Sequence, residues 1–232
     1  MNKIAIMQPT YIPWSGYFAL MEYVDTFVIL DSVQLAKRSW QMRNKIKTQH
    51  GEKIISIPVY TKGKRDQLIS QTLVDQSSNY ANNHLSLLKN SYSKAKFFND
   101  YFNQIFDDKT YSSNKLSGIT IGLMLKLKDL LGIKVKIINS TDILGIRGEK
   151  ANLMASICKK LNCDTYISPL GSKEYLDASN SFKENNIPIE YFKYNHPEYK
   201  QLHGEFIPYL SVIDMIFNCG KDSLEIIKSG IE

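Results

Sequence analysis

Two short stretches carry most of the residue types that bind and activate small polar molecules. The first follows an apolar run at residues 4–7 and comprises Gln8, Tyr11 and Trp14, set among Pro9, Pro13 and Gly16. The second runs from Asp31 through Gln34 and Arg38 to Trp40, Arg43 and Asn44. A guanidinium presents a fork of donors that fits phosphate, and an amide both donates and accepts. An aromatic face packs on a base or a sugar ring. Together they point to a nucleotide-linked sugar or another phosphorylated small molecule, with Gln8 and Asp31 as candidates for the chemistry. The plainer alternatives are an ordinary ion pair of Asp31 with Arg38 or Arg43, and two tryptophans that belong to the core.

Histidine is the commonest general base near neutral pH, so the four histidines are weighed separately. His84 lies early in an expected helix, offset from its main apolar face. His196 and His203 flank Tyr199 and Gln201 in a late aromatic segment, and His50 precedes a glycine in a polar turn. His84 and His196 are the catalytic candidates, and Tyr199 and Gln201 join the binding set. No His-x-x-x-His pair, close cysteine pair or dense carboxylate cluster has metal-ligand spacing, so no metal is expected. Neither Gly-x-Gly-x-x-Gly nor a P-loop glycine pattern occurs, and no serine has a Gly-x-Ser-x-Gly context. No cofactor is therefore assigned and no covalent intermediate is expected.

The elements that position these groups follow from hydrophobic patterning. Residues 4–7 read as a buried strand that stops where Pro9 removes a ladder donor. Beyond Pro13, Tyr17, Phe18, Leu20, Met21 and Val24 recur near a helical period, with Ser15 as the expected cap. A second apolar run, residues 27–30, ends at Asp31. Strand, helix and strand open a parallel βαβ unit, which places Asp31 at the same sheet edge as Gln8. Ligands of open α/β sheets sit beyond that edge, with an anionic group against a helix N-terminus.

Further strands are expected at residues 54–59, 71–74, 135–138, 165–167 and 189–192. Helices are expected at 80–105, 116–131, 150–161 and 210–217, the last capped by Ser211, with a helix or pair of turns at 175–185. Residues 61–66 read as a basic surface loop. The fold class is α/β: a mostly parallel sheet flanked by helices, with a Rossmann-like or nucleotidyltransferase-like opening. One domain over residues 1–232 is expected, with a boundary near 139–149 if there are two lobes.

With 43% hydrophobic and 22% charged residues the chain is globular. The net charge of +6 favours an anionic partner. The lysines are scattered and form no long basic run, which argues against nucleic acid. Three cysteines without paired spacing, no secretory leader and no apolar stretch near the roughly 20 residues of a membrane span lead to a cytoplasmic expectation.

Ile6-Met7-Gln8-Pro9-Thr10-Tyr11-Ile12-Pro13-Trp14-Ser15-Gly16-Tyr17-Phe18, with Asp31-Ser32-Val33-Gln34 and Ser39-Trp40-Gln41-Met42-Arg43-Asn44-Lys45-Ile46, resembles the WbqC-like family. Tyr166-Ile167-Ser168 followed by Gly171 and Tyr175-Leu176, Asn195-His196-Pro197-Glu198-Tyr199-Lys200-Gln201 and residues 210–220 extend the resemblance over nearly the whole chain. It implies bacterial origin and association with O-antigen, capsule or other surface-glycan gene clusters. Gln8, Tyr11, Asp31, Gln34, Trp40, Arg43, Asn44, His84, His196, Tyr199 and Gln201 all stand in matching motifs, whereas Ser32 stands where many relatives have an aspartate.

The expected function is transfer of an acyl or aminoacyl group to a nucleotide-linked amino sugar in surface-glycan biosynthesis. In that scheme Arg43 and Arg38 hold phosphate, and Trp14 or Trp40 packs on base or sugar. His84 or His196 takes the proton of the amine, while Gln8 and Asn44 orient the carbonyl. A nucleotidyltransferase-like enzyme using a nucleoside triphosphate is one alternative, although Trp14 and Gly16 stand where its paired-histidine motif would be. A non-catalytic nucleotide-sugar-binding or scaffold protein is another. The expected partners are the phosphorylated sugar and an acyl donor, with a homo-oligomer left open.

Overall fold

The alternation Ile4, Ala5, Ile6 sends neighbouring side chains to opposite faces of a strand, and all three are buried. A strand apolar on both faces needs cover on both, and the computed structural model, which describes residues 1–232, provides it. The first strand, β1 (Lys3–Met7), is followed by helix α1 (Ser15–Tyr23) and strand β2 (Thr26–Ile29). An antiparallel hairpin of β3 (Arg43–Thr48) and β4 (Gly51–Ser56) comes next, then helices α2 (Tyr80–Tyr92), α3 (Phe98–Ile105) and α4 (Leu116–Leu131). The chain returns through β5 (Lys136–Asn139), α5 (Lys150–Lys160), β6 (Thr165–Pro169), α6 (Lys173–Asp177), α7 (Ser181–Glu184) and β7 (Ile189–Phe192). It closes with α8 (Val212–Cys219) and α9 (Ser223–Ser229).

Five strands form one parallel sheet in the order β5-β2-β1-β6-β7. The chain moves outward from β1 through β2 to β5, then crosses back to continue from β6 to β7 on the other side. The crevice between the carboxyl ends of β1 and β6 is thus the point where winding reverses. Ala5, Phe27, Ile29 and Ile167 face the larger apolar core with α1, α4 and α8. Ile4, Ile6, Val28 and Tyr166 face the smaller one with α5 and α7.

Several expectations are corrected. The apolar pattern over residues 80–105 is divided between α2 and α3, because the Phe97 N–H donates to the Phe217 carbonyl at 2.9 Å instead of continuing the helix. Ser15 is the first helical residue; Trp14 holds the cap position and no side chain caps the helix. The strand expected at 54–59 is β4, ending at Ser56, since Pro58 cannot donate to the ladder. Residues 71–74 form isolated bridges after a 3-10 turn at Ile69–Gln71. Ser211 does cap α8, accepting from the Ile213 N–H at 3.4 Å.

The irregular segment between β7 and α8 is fastened by a buried polar network. The Asp214 carboxylate accepts from Tyr199 Oη at 2.9 Å and Tyr92 Oη at 3.0 Å. Tyr92 Oη in turn accepts from the Lys47 N–H at 2.8 Å, and Lys47 Nζ donates to Gln201 Oε1 at 3.0 Å. Burial raises the Asp214 pKa and lowers that of Lys47, each shift partly opposed by the attraction between the two charges. Asp214→Ala strands two buried hydroxyls and should lower unfolding free energy by about 2–4 kcal/mol, measured by urea denaturation at neutral pH.

Candidate functional site

The turn leaving β1 is built as a rigid shelf. Ile12 occupies the left-handed region at φ 38°, a conformation that a β-branched residue adopts only when its surroundings enforce it. The enforcing group is Asn44, whose buried amide donates to the carbonyls of Tyr11 at 3.0 Å and Ile12 at 2.8 Å. The Tyr11 N–H donates to the Trp40 carbonyl at 3.1 Å, and Gln41 Nε2 donates to Gln8 Oε1. The two stretches singled out in the sequence therefore lie against each other.

Their contact separates two openings at the carboxyl edge of the sheet. A cleft of about 820 Å³ lies at the winding reversal, lined by Gln8, Gln34, Asp66, Glu149, Lys150 and Tyr175 among others. Gln8 spends its amide oxygen on Gln41, and its amide nitrogen has no hydrogen-bond partner in the protein. The second opening is an aromatic pocket of about 280 Å³, walled by Trp14, Trp40, Tyr17 and Tyr209, with Asn44, Met7 and Thr10 completing it. Trp40 and Tyr209 are 48% and 57% exposed, so both leave apolar ring surface uncovered at the mouth of the pocket. The Arg43 guanidinium lies 5.5 Å from the Trp40 ring centroid, and its Nε is buried without a hydrogen-bond partner.

Trp14 is positioned from both sides. Its indole stacks at 17° on His196, with 6.1 Å between centroids, and meets Tyr194 edge-on at 5.6 Å. On the other side it folds over Gly16, where an added Cβ would lie 2.2 Å from the ring. His196 thus stands beside the aromatic pocket, in contact with Trp14 and Tyr209, with its Nδ1 at 3.0 Å from the Pro197 carbonyl. Burial lowers its pKa.

His84 lies beneath the shelf. Its Nδ1 is 2.9 Å from the Tyr11 hydroxyl, which is itself 2.7 Å from the Tyr111 hydroxyl. Burial pushes the His84 pKa down to about 4, and the Ser56 carbonyl opposes that shift by holding the ring proton. Nδ1 is then the acceptor and Tyr11 donates. The Asp31 carboxylate accepts from Ser140 Oγ at 3.0 Å, Thr141 Oγ1 at 3.2 Å and the Thr141 N–H at 3.3 Å, which ties the end of β2 to the turn after β5. Ser32 joins that knot through Ser140 Oγ at 2.8 Å. Tyr199 and Gln201 belong to the network around Asp214 and Lys47.

The structure thus brings Gln8 and Gln34 to the cleft, Trp14, Trp40 and Asn44 to the aromatic pocket, and Arg38 to a neighbouring basic depression. Tyr11, Asp31, His84, Tyr199 and Gln201 are engaged inside the protein, and His196 stands behind the pocket wall. Glu149, Tyr175 and Tyr209 also line these openings, although none is among the candidate site residues that the sequence offers. For Glu149 the signal was present: a residue between a glycine turn and the helix after a parallel strand opens on the carboxyl edge. No group of three or more His, Cys, Asp or Glu side chains is placed to hold a metal ion.

The model of the WbqC-like protein family matches residues 8–226, which begin at Gln8, directly after β1, and take in the rest of this edge. The chain belongs to the WbqC-like protein family. A Mycobacterium tuberculosis relative, named "Uncharacterized protein Rv1507c", is 36% identical over 227 residues, covering 96% of both chains. No solved structure matches the chain. WbqC-like membership suggests a role related to glycan biosynthesis, and no helix here is long and apolar enough to cross a membrane.

Two outcomes are expected from this geometry. Gly16→Ala should force the indole of Trp14 off the first turn of α1, changing tryptophan emission and lowering the melting temperature. Because folding holds His84 neutral, the unfolded chain takes up a proton between about pH 6.5 and 4 that the folded chain refuses. His84 should therefore cost no stability above pH 6.5 and progressively more below it, approaching about 3 kcal/mol near pH 4. Denaturation measured across that range should show a shallower acid limb in His84→Gln.

Proposed function

We propose that the protein transfers an acyl or aminoacyl group to the amine of a nucleotide-linked sugar. The observation that supports this reading is that the cleft at the winding reversal and the aromatic pocket flank the same turn: Gln8, with its free amide nitrogen, lines the cleft, and its chain neighbour Met7 lines the pocket. Base or sugar packs against Trp40, Tyr209 and the edge of Trp14, as exposed aromatic faces favour. The Gln8 amide nitrogen donates to the acyl carbonyl, where negative charge develops as the amine attacks. Glu149 lines the cleft without an ion-pair partner and accepts the proton that the amine must lose. The amine nitrogen forms the new bond to the acyl carbon, and the donor's leaving group departs with the electron pair of the broken bond. His84 and Asn44 act as positioning residues in this scheme, holding Tyr11 and Ile12 so that Gln8 and Trp14 keep their places. Asp31 holds the ends of β2 and β5 together, between its cleft-lining neighbours Leu30 and Ser32.

A second reading, nucleotidyl transfer, draws on the sheet order, in which the turn leaving β1 meets the crevice where mononucleotides bind in such folds. The indole of Trp14 folded over Gly16 weighs against it, since it crowds the first turn of α1.

The test is mass-spectrometric assay of nucleotide-linked amino sugars with thioester and aminoacyl donors, with and without ATP and magnesium. The expected product is the N-acylated nucleotide sugar, formed without ATP. Glu149→Gln should lower kcat by about a hundredfold with little change in KM for the sugar. Trp40→Ala should raise KM with a smaller effect on kcat. Pyrophosphate release without acyl transfer would favour the second reading, and ligand binding with no turnover would leave a binding or scaffold protein.

A further inference from the structure

Beside the cleft, Lys37, Arg38, Lys64 and Arg65 line a single depression of about 420 Å³. None of the four forms an ion pair or a hydrogen bond through its charged group, although the chain pairs cations elsewhere, as Lys45 with Glu52 at 2.9 Å and Lys126 with Asp107 at 2.6 Å. Asp66, adjacent in sequence to Arg65, does not neutralise them. Its carboxylate accepts from Gln34 Nε2 at 3.3 Å and lines the cleft instead. Four like charges around one hollow repel one another, and an anion placed among them removes that repulsion.

The cluster is held by backbone structure and does not consist of lysines scattered on a surface. The two segments that carry it are joined by the Leu35 N–H to the Gln67 carbonyl at 3.0 Å, the Ile69 N–H to the Val33 carbonyl at 2.9 Å and a bridge between Gln34 and Leu68. Arg38 is held in the left-handed region at φ 53°. A trough lined by Gln34, Leu35, Ala36, Lys37 and Arg65 shares Gln34 with the cleft and Leu35, Lys37 and Arg65 with the basic depression. One elongated ligand can therefore lie in both.

We propose that this depression is the diphosphate subsite of the protein, and that its ligand runs from the four cations past Gln34 into the cleft. The inference rests on the reading of the cleft as a nucleotide-sugar site and deepens it: the substrate is joined to its nucleoside through a diphosphate, and Lys37, Lys64 and Arg65 hold it together with Arg38. A diphosphate offers several anionic oxygens that the two guanidinium forks and two ammonium groups can each address.

The full-length chain is to be titrated calorimetrically with inorganic pyrophosphate, a panel of nucleoside diphosphates, and the matching nucleosides. Pyrophosphate and at least one nucleoside diphosphate should bind, more weakly as salt rises. The Lys64→Gln/Arg65→Gln double variant should weaken both by roughly tenfold or more, with no matching loss for the nucleosides. Both side chains are exposed, so an unchanged melting temperature separates lost binding from lost folding. Diphosphate binding as tight as that of the native chain in both the double variant and Lys37→Gln, or failure of pyrophosphate and every diphosphate to bind the native chain, overturns the proposal. Cation-dependent diphosphate binding with no acyl transfer leaves the subsite standing and removes the transferase reading. Acyl transfer with an unchanged KM for the nucleotide sugar in the double variant does the reverse.

Discussion

The Asn44 side chain is the constraint on which the edge of the sheet depends. Its two amide hydrogens are spent on the carbonyls of Tyr11 and Ile12, and its oxygen accepts from the Lys45 N–H at 2.8 Å, so the buried amide is satisfied at both ends. The bonds hold Ile12 in a backbone conformation that costs of order 1–3 kcal/mol for such a residue. In exchange, the chain turns sharply enough to leave Gln8 on one side of the shelf and Trp14 on the other. The same bonds carry β3 onto the end of β1, which makes the hairpin inserted after β2 a wall of the site and not a separate appendage.

Polar groups are divided between two tasks. Those deep inside act as struts: Tyr11 with His84 and Tyr111 under the shelf, Asp31 with Ser140 and Thr141 across the strand ends, and Asp214 with Tyr92 and Tyr199 behind the late segment. Burial makes each of these networks specific, because an unpaired member would lose its hydration without replacement. Along the edge itself, polar groups are left unspent: the Gln8 amide nitrogen, the Glu149 carboxylate and the cations around Arg38. The buried orphan atoms Ser39 Oγ, Gln41 Oε1 and Arg43 Nε fall on the short segment between the aromatic pocket and the basic depression. That concentration marks a segment whose hydrogen-bonding capacity is not exhausted by the fold.

The parallel sheet explains why these groups meet. Strands wound outward from β1 and then back to β6 leave a crevice at the carboxyl edge, where the segments after β1, β2, β5 and β6 converge and the first turn of α5 forms one wall. Gln8, Gln34 and Glu149 come from the loops after β1, β2 and β5, and Tyr175 from helix α6 beyond β6. They are widely separated in sequence and close only because parallel strands put all their carboxyl ends on one edge.

The sequence by itself determined the α/β class, the parallel βαβ opening, the placement of Asp31 and Gln8 at one edge, and the chemical character of the segments flanking β1 and β3. Local patterning decides these: apolar runs bounded by proline, a helical period after Pro13, and amides and arginines packed into a short segment. Only the tertiary structure decided which polar residues are spent internally and which remain available. His84 and His196 look alike as candidate bases in sequence, yet one is sealed among tyrosines and the other stacks on Trp14. Lys64 and Arg65 look like part of an ordinary surface loop until strand-like pairing with residues 33–35 sets them opposite Lys37 and Arg38. Availability depends on long-range packing, which fixes burial, partners and separation, and none of these is written in the local pattern of residues.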